Sequence, residues 1–213
     1  EKVTLIATFS GVMEMQSIRM LAAVLDQCAV DGHGMFTAAG LHSAMPHLKD
    51  GAWKTLLSRA EAGGLLTRVC RGIYLYKEAT YPVDLVLCHT AALLRAGAFN
   101  YLSLESVLST AGLISQMPIN RLTLMSSGCS NRIDCGRWGA IEFVHTSKTP
   151  DSLREQLSWD ARSRLWTASV SQALADLKST RRNLDLVDWN AVPLTDTMES
   201  VVPDVSRTKR GRA

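Results

Sequence analysis

The 213-residue chain has no apolar run long enough to cross a bilayer, which takes about 18 residues or more. Its most apolar stretch, Val83 to Leu94, is broken by Asp84, His89 and Thr90. A membrane partner is therefore not expected. The N-terminus lacks the charged, apolar and small-residue order of a secretory signal. It opens at Glu1 rather than at methionine, as a trimmed chain would. No CxxC pair occurs among the five cysteines, at 28, 70, 88, 129 and 135. An odd count without pairing suits reduced thiols and a cytoplasmic protein. Cys129 and Cys135 lack the nearby partners that zinc requires, so no metal is expected. No GxGxxG, P-loop, GxSxG or HExxH motif is present, and no cofactor is implied.

Charge excess is also missing. Lys and Arg number 23 against 20 Asp and Glu, a net +3. That excludes a highly basic coat protein but not a DNA reader with one basic face. Residues 1–80 carry 8 basic and 7 acidic side chains, and residues 151–213 carry 10 and 9. The composition is 46% hydrophobic and 20% charged, which is ordinary for a globular chain able to bury its own core.

Met15 to Cys28 reads as a helix, with Ile18, Leu21, Val24, Leu25 and Cys28 on one stripe. Asp31-Gly32-His33-Gly34 breaks it. Met35-Phe36 leads to Thr37, a candidate N-cap. Ala38, Leu41 and Met45 line a short second helix that ends before Pro46. A third helix spans Asp50 to Ala62, with Trp53, Leu56, Leu57 and Ala60 inward. Its other face carries Lys49, Lys54, Thr55, Ser58 and Arg59. Gly63-Gly64 stops it. Leu65–Val69 and Ile73–Tyr76 are β-prone, and Cys70-Arg71-Gly72 between them reads as a turn.

Three helices followed by a hairpin is the winged helix-turn-helix plan. An amphipathic third helix fits a major groove about 12 Å wide, and Arg68 and Arg71 on the wing reach phosphate. The DNA-binding candidates are Lys49, Lys54, Thr55, Ser58, Arg59, Arg68 and Arg71. A packing or docking module is the alternative, and Asp50 and Glu61 on the third helix favour it.

Tyr81-Pro82 marks a change of texture. Val83–Gly97 reads as a largely buried helix containing Val86, Ala91 and Leu94. Ser103 is placed to cap a helix with Glu105 in its first turn and Leu104, Val107 and Leu108 inward. Gly112 ends that helix and Pro118 follows. Ile119–Ser126 alternates around Leu122, Leu124 and Ser126 as a strand. Residues 131–145 read as a hairpin turning at 136–139, with Ile141, Phe143 and His145 on one side. Arg162–Leu177 reads as a helix, and Leu184–Val192 as a second short one. The expected fold is α+β: an N-terminal winged helix-turn-helix domain over 1–80, a larger mixed α/β C-terminal domain over 81–192, and a mobile solvated tail over 193–213. That tail ends basic, with Arg207, Lys209, Arg210 and Arg212.

The run Gly64-Leu65-Leu66-Thr67-Arg68-Val69-Cys70-Arg71-Gly72-Ile73-Tyr74 resembles the wing of the AbiEi family. These are antitoxin transcriptional regulators of bacterial type IV toxin–antitoxin, or abortive infection, systems of phage defence. Tyr101–Leu108, Ala111-Gly112-Leu113-Ile114 and Pro118 resemble the helix that follows the family's winged domain. Arg121–Met125, Arg132–His145 and Ala173-Leu174-Ala175-Asp176-Leu177 continue the likeness, which covers Ile18 to Val192. Ala60 departs from the large apolar residue usual before the helix-ending glycine, which implies looser packing there. The resemblance implies a repressor that binds inverted repeats of double-stranded DNA in its own promoter. It also implies a C-terminal domain that counteracts a nucleotidyltransferase-like toxin.

No catalytic residues are expected. The adjacent Cys88 and His89 would point about 100° apart on a helix and so do not form a dyad. Asp134, Glu142 and Lys148 loosely echo a metal-dependent nuclease. A nuclease with a winged targeting head is therefore the alternative function, though the wet face of a hairpin explains the same charges. One head makes few phosphate contacts, so the reading expects a monomer in solution that pairs cooperatively on DNA.

Overall fold

The computed structural model describes residues 2–30, 32–114 and 120–192, with side chains of the first helix described from Gln16 onward. Asp31, Pro118, Ile119 and the expected tail 193–213 lie outside the described residues. The protein is mixed α+β and divides into two compact units. The first comprises Glu1–Leu94 and Asp134–Trp138, and the second comprises Arg95–Ile133 and Gly139–Ala213.

The first unit opens with α1 (Lys2–Val30), longer than the expected Met15–Cys28. Leu21 and Leu25 of the predicted stripe are fully buried. The helix ends where the His33 amide donates to the Cys28 carbonyl and Gly32 adopts φ +78°. β1 (Met35–Thr37) leads into α2 (Ala38–Ser43). Thr37 caps α2, its hydroxyl oxygen accepting from the Gly40 amide at 2.9 Å. α3 (Asp50–Ala62) buries Trp53, Leu56, Leu57 and Ala60, at a gain of roughly 1.5–3 kcal/mol for each large side chain. Its C-terminus closes with the Leu65 amide on the Ala60 carbonyl at 2.9 Å and Gly64 at φ +74°. That six-to-one bond satisfies carbonyls left over at a helix end.

β2 (Leu66–Cys70) and β3 (Ile73–Tyr76) form the predicted hairpin. Cys70 opposes Ile73, so Arg71 and Gly72 make the turn, and Gly72 has φ +82°. β3 is central in a three-stranded antiparallel sheet of order β1-β3-β2. The first unit reaches Leu94, past the expected boundary after residue 80. The reason is packing: α4 (Val86–Leu94) lies on β1 and β3. The Thr90 hydroxyl donates to Met35 Sδ at 3.6 Å. The helix expected over Val83–Gly97 is shorter than predicted, because Val83–Leu85 forms a 3₁₀ turn with Val83 exposed and α4 stops at Leu94.

The second unit is built on a six-stranded mixed sheet of order β6-β7-β5-β4-β9-β8. Its strands are β4 (Asn100–Leu102), β5 (Arg121–Ser126), β6 (Asn131–Asp134), β7 (Ala140–His145), β8 (Leu157–Asp160) and β9 (Leu165–Ala168). β5 runs parallel to β7 and β4 parallel to β9. α5 (Leu104–Thr110) and α6 (Val170–Ser179) pack together. Their buried Leu104, Leu108, Leu174 and Leu177 share a core with Tyr101 and Met125 of the sheet. β5 does not alternate as predicted. Thr123 through Ser126 are all buried, so side chains on both faces of this strand are covered, as in a sheet packed on both sides.

Two predicted helices are corrected. Arg162–Leu177 is helical only from Val170. Residues 165–168 are instead strand β9, hairpin-paired with β8 in the register Trp159↔Trp166 and Leu157↔Ala168. Ser169 then caps α6 by accepting from the Gln172 amide at 3.2 Å. Leu184–Val192 forms turns, with Val187 bridged to Ile114.

Candidate nucleic-acid interface

The local logic of α3 separates its two faces. Apolar residues at 53, 56, 57 and 60 follow the helical repeat and enter the core, so the residues between them must face water. Lys54, Thr55, Ser58 and Arg59 are all exposed. Lys49 stands exposed at the N-cap position without a capping hydrogen bond from its side chain. Thr55 Oγ1 donates to the Gly51 carbonyl at 3.0 Å, so the hydroxyl keeps only its accepting capacity for another partner. α2 and α3 are fixed to each other by the His42 ring, stacked on Trp53 at 5.1 Å between centroids and 6° between planes. His42 Nε2 also donates to the Leu48 carbonyl at 2.9 Å.

Arg68 and Arg71 are exposed on the hairpin. Arg68 Nε donates to the Cys70 carbonyl at 3.3 Å, across an irregularity in the pairing of β2. That bond holds the guanidinium near the turn that carries Arg71. All seven predicted residues thus lie on the solvent side of α3, at its start, or on the β2–β3 hairpin. Such a set can hydrogen-bond phosphate oxygens and base edges. Asp50 and Glu61 are exposed on the same helix and temper its positive potential.

The three residues of the nuclease alternative each have a separate partner. Asp134 lies in the first unit's segment, where its carboxylate accepts from the Gly136 amide at 2.8 Å. Glu142 pairs with Arg182, which also donates to Glu105 at 2.7 Å. Burial pulls the Arg182 pKa down, but its hydrogen bonds to Glu105 and Glu142 outweigh this and hold it above the ordinary value. Lys148 pairs with Asp176 at 2.9 Å. Among the described residues no group of three or more His, Cys, Asp or Glu is placed to hold a metal ion. His89 is buried in α4 and shares a hydrogen bond with the Tyr81 hydroxyl through Nδ1.

Some features had no clear signal in the sequence. Asp176, wholly buried in the second unit, accepts from Ser103 Oγ at 2.7 Å, Tyr101 OH at 3.1 Å, Gln172 Nε2 at 2.7 Å and Lys148 Nζ at 2.9 Å. Burial and the Asp176 charge push the Tyr101 phenol well above its ordinary pKa. Ser103 was expected to cap α5, but its hydroxyl donates to Asp176 instead and makes no cap bond. Trp159 and Trp166 form an exposed cross-strand pair 5.4 Å apart. Their separation in sequence hides a pairing that only the β8–β9 register creates. No helix of the described residues is long and apolar enough to cross a membrane.

No family model matches the chain, and no curated protein matches it. Among solved structures, it is similar to the crystal structure of the RV2827C protein from Mycobacterium tuberculosis, at 14% sequence identity and a TM-score of 0.49. The match covers 79% of this chain and 63% of that one, so the chain spans less than two thirds of that neighbour's length.

Proposed function

We propose that this chain is a DNA-binding transcriptional regulator whose N-terminal unit works as a winged helix-turn-helix. The observation that carries the reading is the two-faced α3. Trp53, Leu56, Leu57 and Ala60 are buried, and Lys54, Thr55, Ser58 and Arg59 are exposed. A hairpin bearing Arg68 and Arg71 follows directly. In this reading α3 enters the major groove and the hairpin arginines hold phosphate. The sequence resemblance to AbiEi antitoxins extends the proposal. The target is an inverted repeat in the chain's own promoter, the effect is repression, and the second unit counteracts a nucleotidyltransferase-like toxin.

The test is a gel-shift titration of the full chain on DNA taken from upstream of its own gene, against scrambled DNA of equal length. Binding at least tenfold tighter to the upstream fragment supports the reading. Equal binding to both, or none, rejects it. Co-expression with the product of a neighbouring nucleotidyltransferase-like gene tests the antitoxin part separately.

A further inference from the structure

We propose that Cys70 and Cys135 form a thiol-oxidation site that closes to an intramolecular disulfide, with hydrogen peroxide or a similar small peroxide as the oxidant. The proposal is independent of the DNA-binding reading. Cys70 ends β2 and is 6% exposed, and Cys135 is fully buried. Both belong to the first compact unit, where the turn Gly136–Trp138 packs against β2. Each side chain is the largest influence on the other's thiol, which places the two as neighbours within this buried contact. The Trp138 amide donates to the Cys135 carbonyl at 3.2 Å, which fixes the turn that presents Cys135. Cys70 lies at the register irregularity of β2, paired with Ile73. Neither residue lies in a motif, and 64 residues separate them in the chain, so only the folded arrangement makes a pair.

The environment also assigns roles. The interaction with Cys135, joined by the charge of Arg68, outweighs burial and favours the Cys70 thiolate, while the interaction with Cys70 and burial push the Cys135 thiol up. A thiolate beside an arginine is the nucleophile in such chemistry. The Cys70 sulfur attacks one peroxide oxygen, an S–O bond forms, the O–O bond breaks, and the departing hydroxide takes up a proton to become water. Cys70 is then a sulfenic acid. The Cys135 sulfur attacks it, the S–S bond forms, and the sulfenic oxygen leaves as a second water with the Cys135 proton. Two thiols lose two electrons in total and one peroxide becomes two waters. A dithiol reductant reverses the bond by exchange.

The experiment treats the folded full chain with a small excess of hydrogen peroxide and blocks remaining thiols with N-ethylmaleimide. Non-reducing peptide mapping then locates every cross-link. The expected product has a linked Cys70–Cys135 peptide, a mass lower by two hydrogens before alkylation, and full reversal by dithiothreitol. In Cys135→Ser the expected product is a sulfenic acid at Cys70, trapped by dimedone. The same oxidation in concentrated urea should scramble the cross-links among all five cysteines, which keeps the test valid if the variant fails to fold. Exclusive modification of the exposed Cys129, cross-links only in other pairs, or no preference for the 70–135 bond in the folded chain over the urea-treated chain would overturn the proposal.

Discussion

Lys148 Nζ lies 2.9 Å from Oδ1 of Asp176, a carboxylate with no exposed surface. The lysine comes from the segment after β7 and the aspartate from α6. The same carboxylate also receives Tyr101 of β4 and Ser103, the N-cap residue of α5. A buried charge is tolerated when it is paired and hydrogen-bonded, and it is costly when partners are removed. Asp176 therefore ties one sheet strand, two helices and a loop of the second unit to one point.

Asp176→Ala should leave four polar groups without their acceptor and lower stability by about 3–5 kcal/mol. Ser103→Ala removes a single bond to the charged group and should cost about 1.5–3 kcal/mol. Urea unfolding of both variants measures this. A loss below that of Ser103→Ala in the Asp176 variant would show that the network is not the anchor.

For the hairpin, replacing both Arg68 and Arg71 with Ala should weaken binding to every DNA sequence. The slope of log affinity against log salt should flatten by roughly two, or about one per lost phosphate contact. Binding isotherms from low to physiological salt read it. An unchanged slope rejects the phosphate role of the hairpin.

Repression should depend on two copies. A single unit of this size makes few phosphate contacts, and an inverted repeat mirrors a pair of proteins. In a footprinting titration with one half-site scrambled, the intact half-site should fill only at higher protein concentration. Filling at the original concentration shows independent binding. Sedimentation of the free protein should find a monomer at low micromolar concentration.

Alkaline pH should weaken the first unit through Tyr76. Its hydroxyl donates to Asp26 of α1, and this bond, with burial, raises the phenol to about 12 from an ordinary value of about 10. Between those values the folded chain keeps a proton that the unfolded chain releases. The contribution is complete below pH ~10 and is lost as pH rises through ~12. Tyr76→Phe should flatten the decline of the urea midpoint over that window. It should also remove one late-ionising tyrosine from the absorbance titration. An identical decline in both proteins contradicts the assignment.

The first unit was the more legible half for a physical reason. The apolar spacing of α3, the Thr37 cap and the Gly72 turn are each set by residues within a few positions of one another. The predicted bounds Asp50–Ala62 and the inward set 53, 56, 57 and 60 match the structure. The exposure of Lys54, Thr55, Ser58 and Arg59 was legible because a helix with one apolar face must expose the other. Leu165 and Ala168 show where this failed. Their spacing of three suits a helix, yet Trp159 across the hairpin draws 165–168 into a strand.

Ser103 shows the same limit at a single atom. The sequence by itself determined the composition class, the helices and turn of the first unit, and which residues of α3 face solvent, because these follow from backbone geometry and near neighbours. Tertiary structure alone decided the six-stranded order, the extension of the first unit to Leu94 and the meeting of Cys70 with Cys135. It also turned the Ser103 hydroxyl from its own helix to Asp176, 73 residues away. A hydroxyl bonds whichever acceptor the fold brings within reach, and a buried carboxylate offers more than a helix amide end.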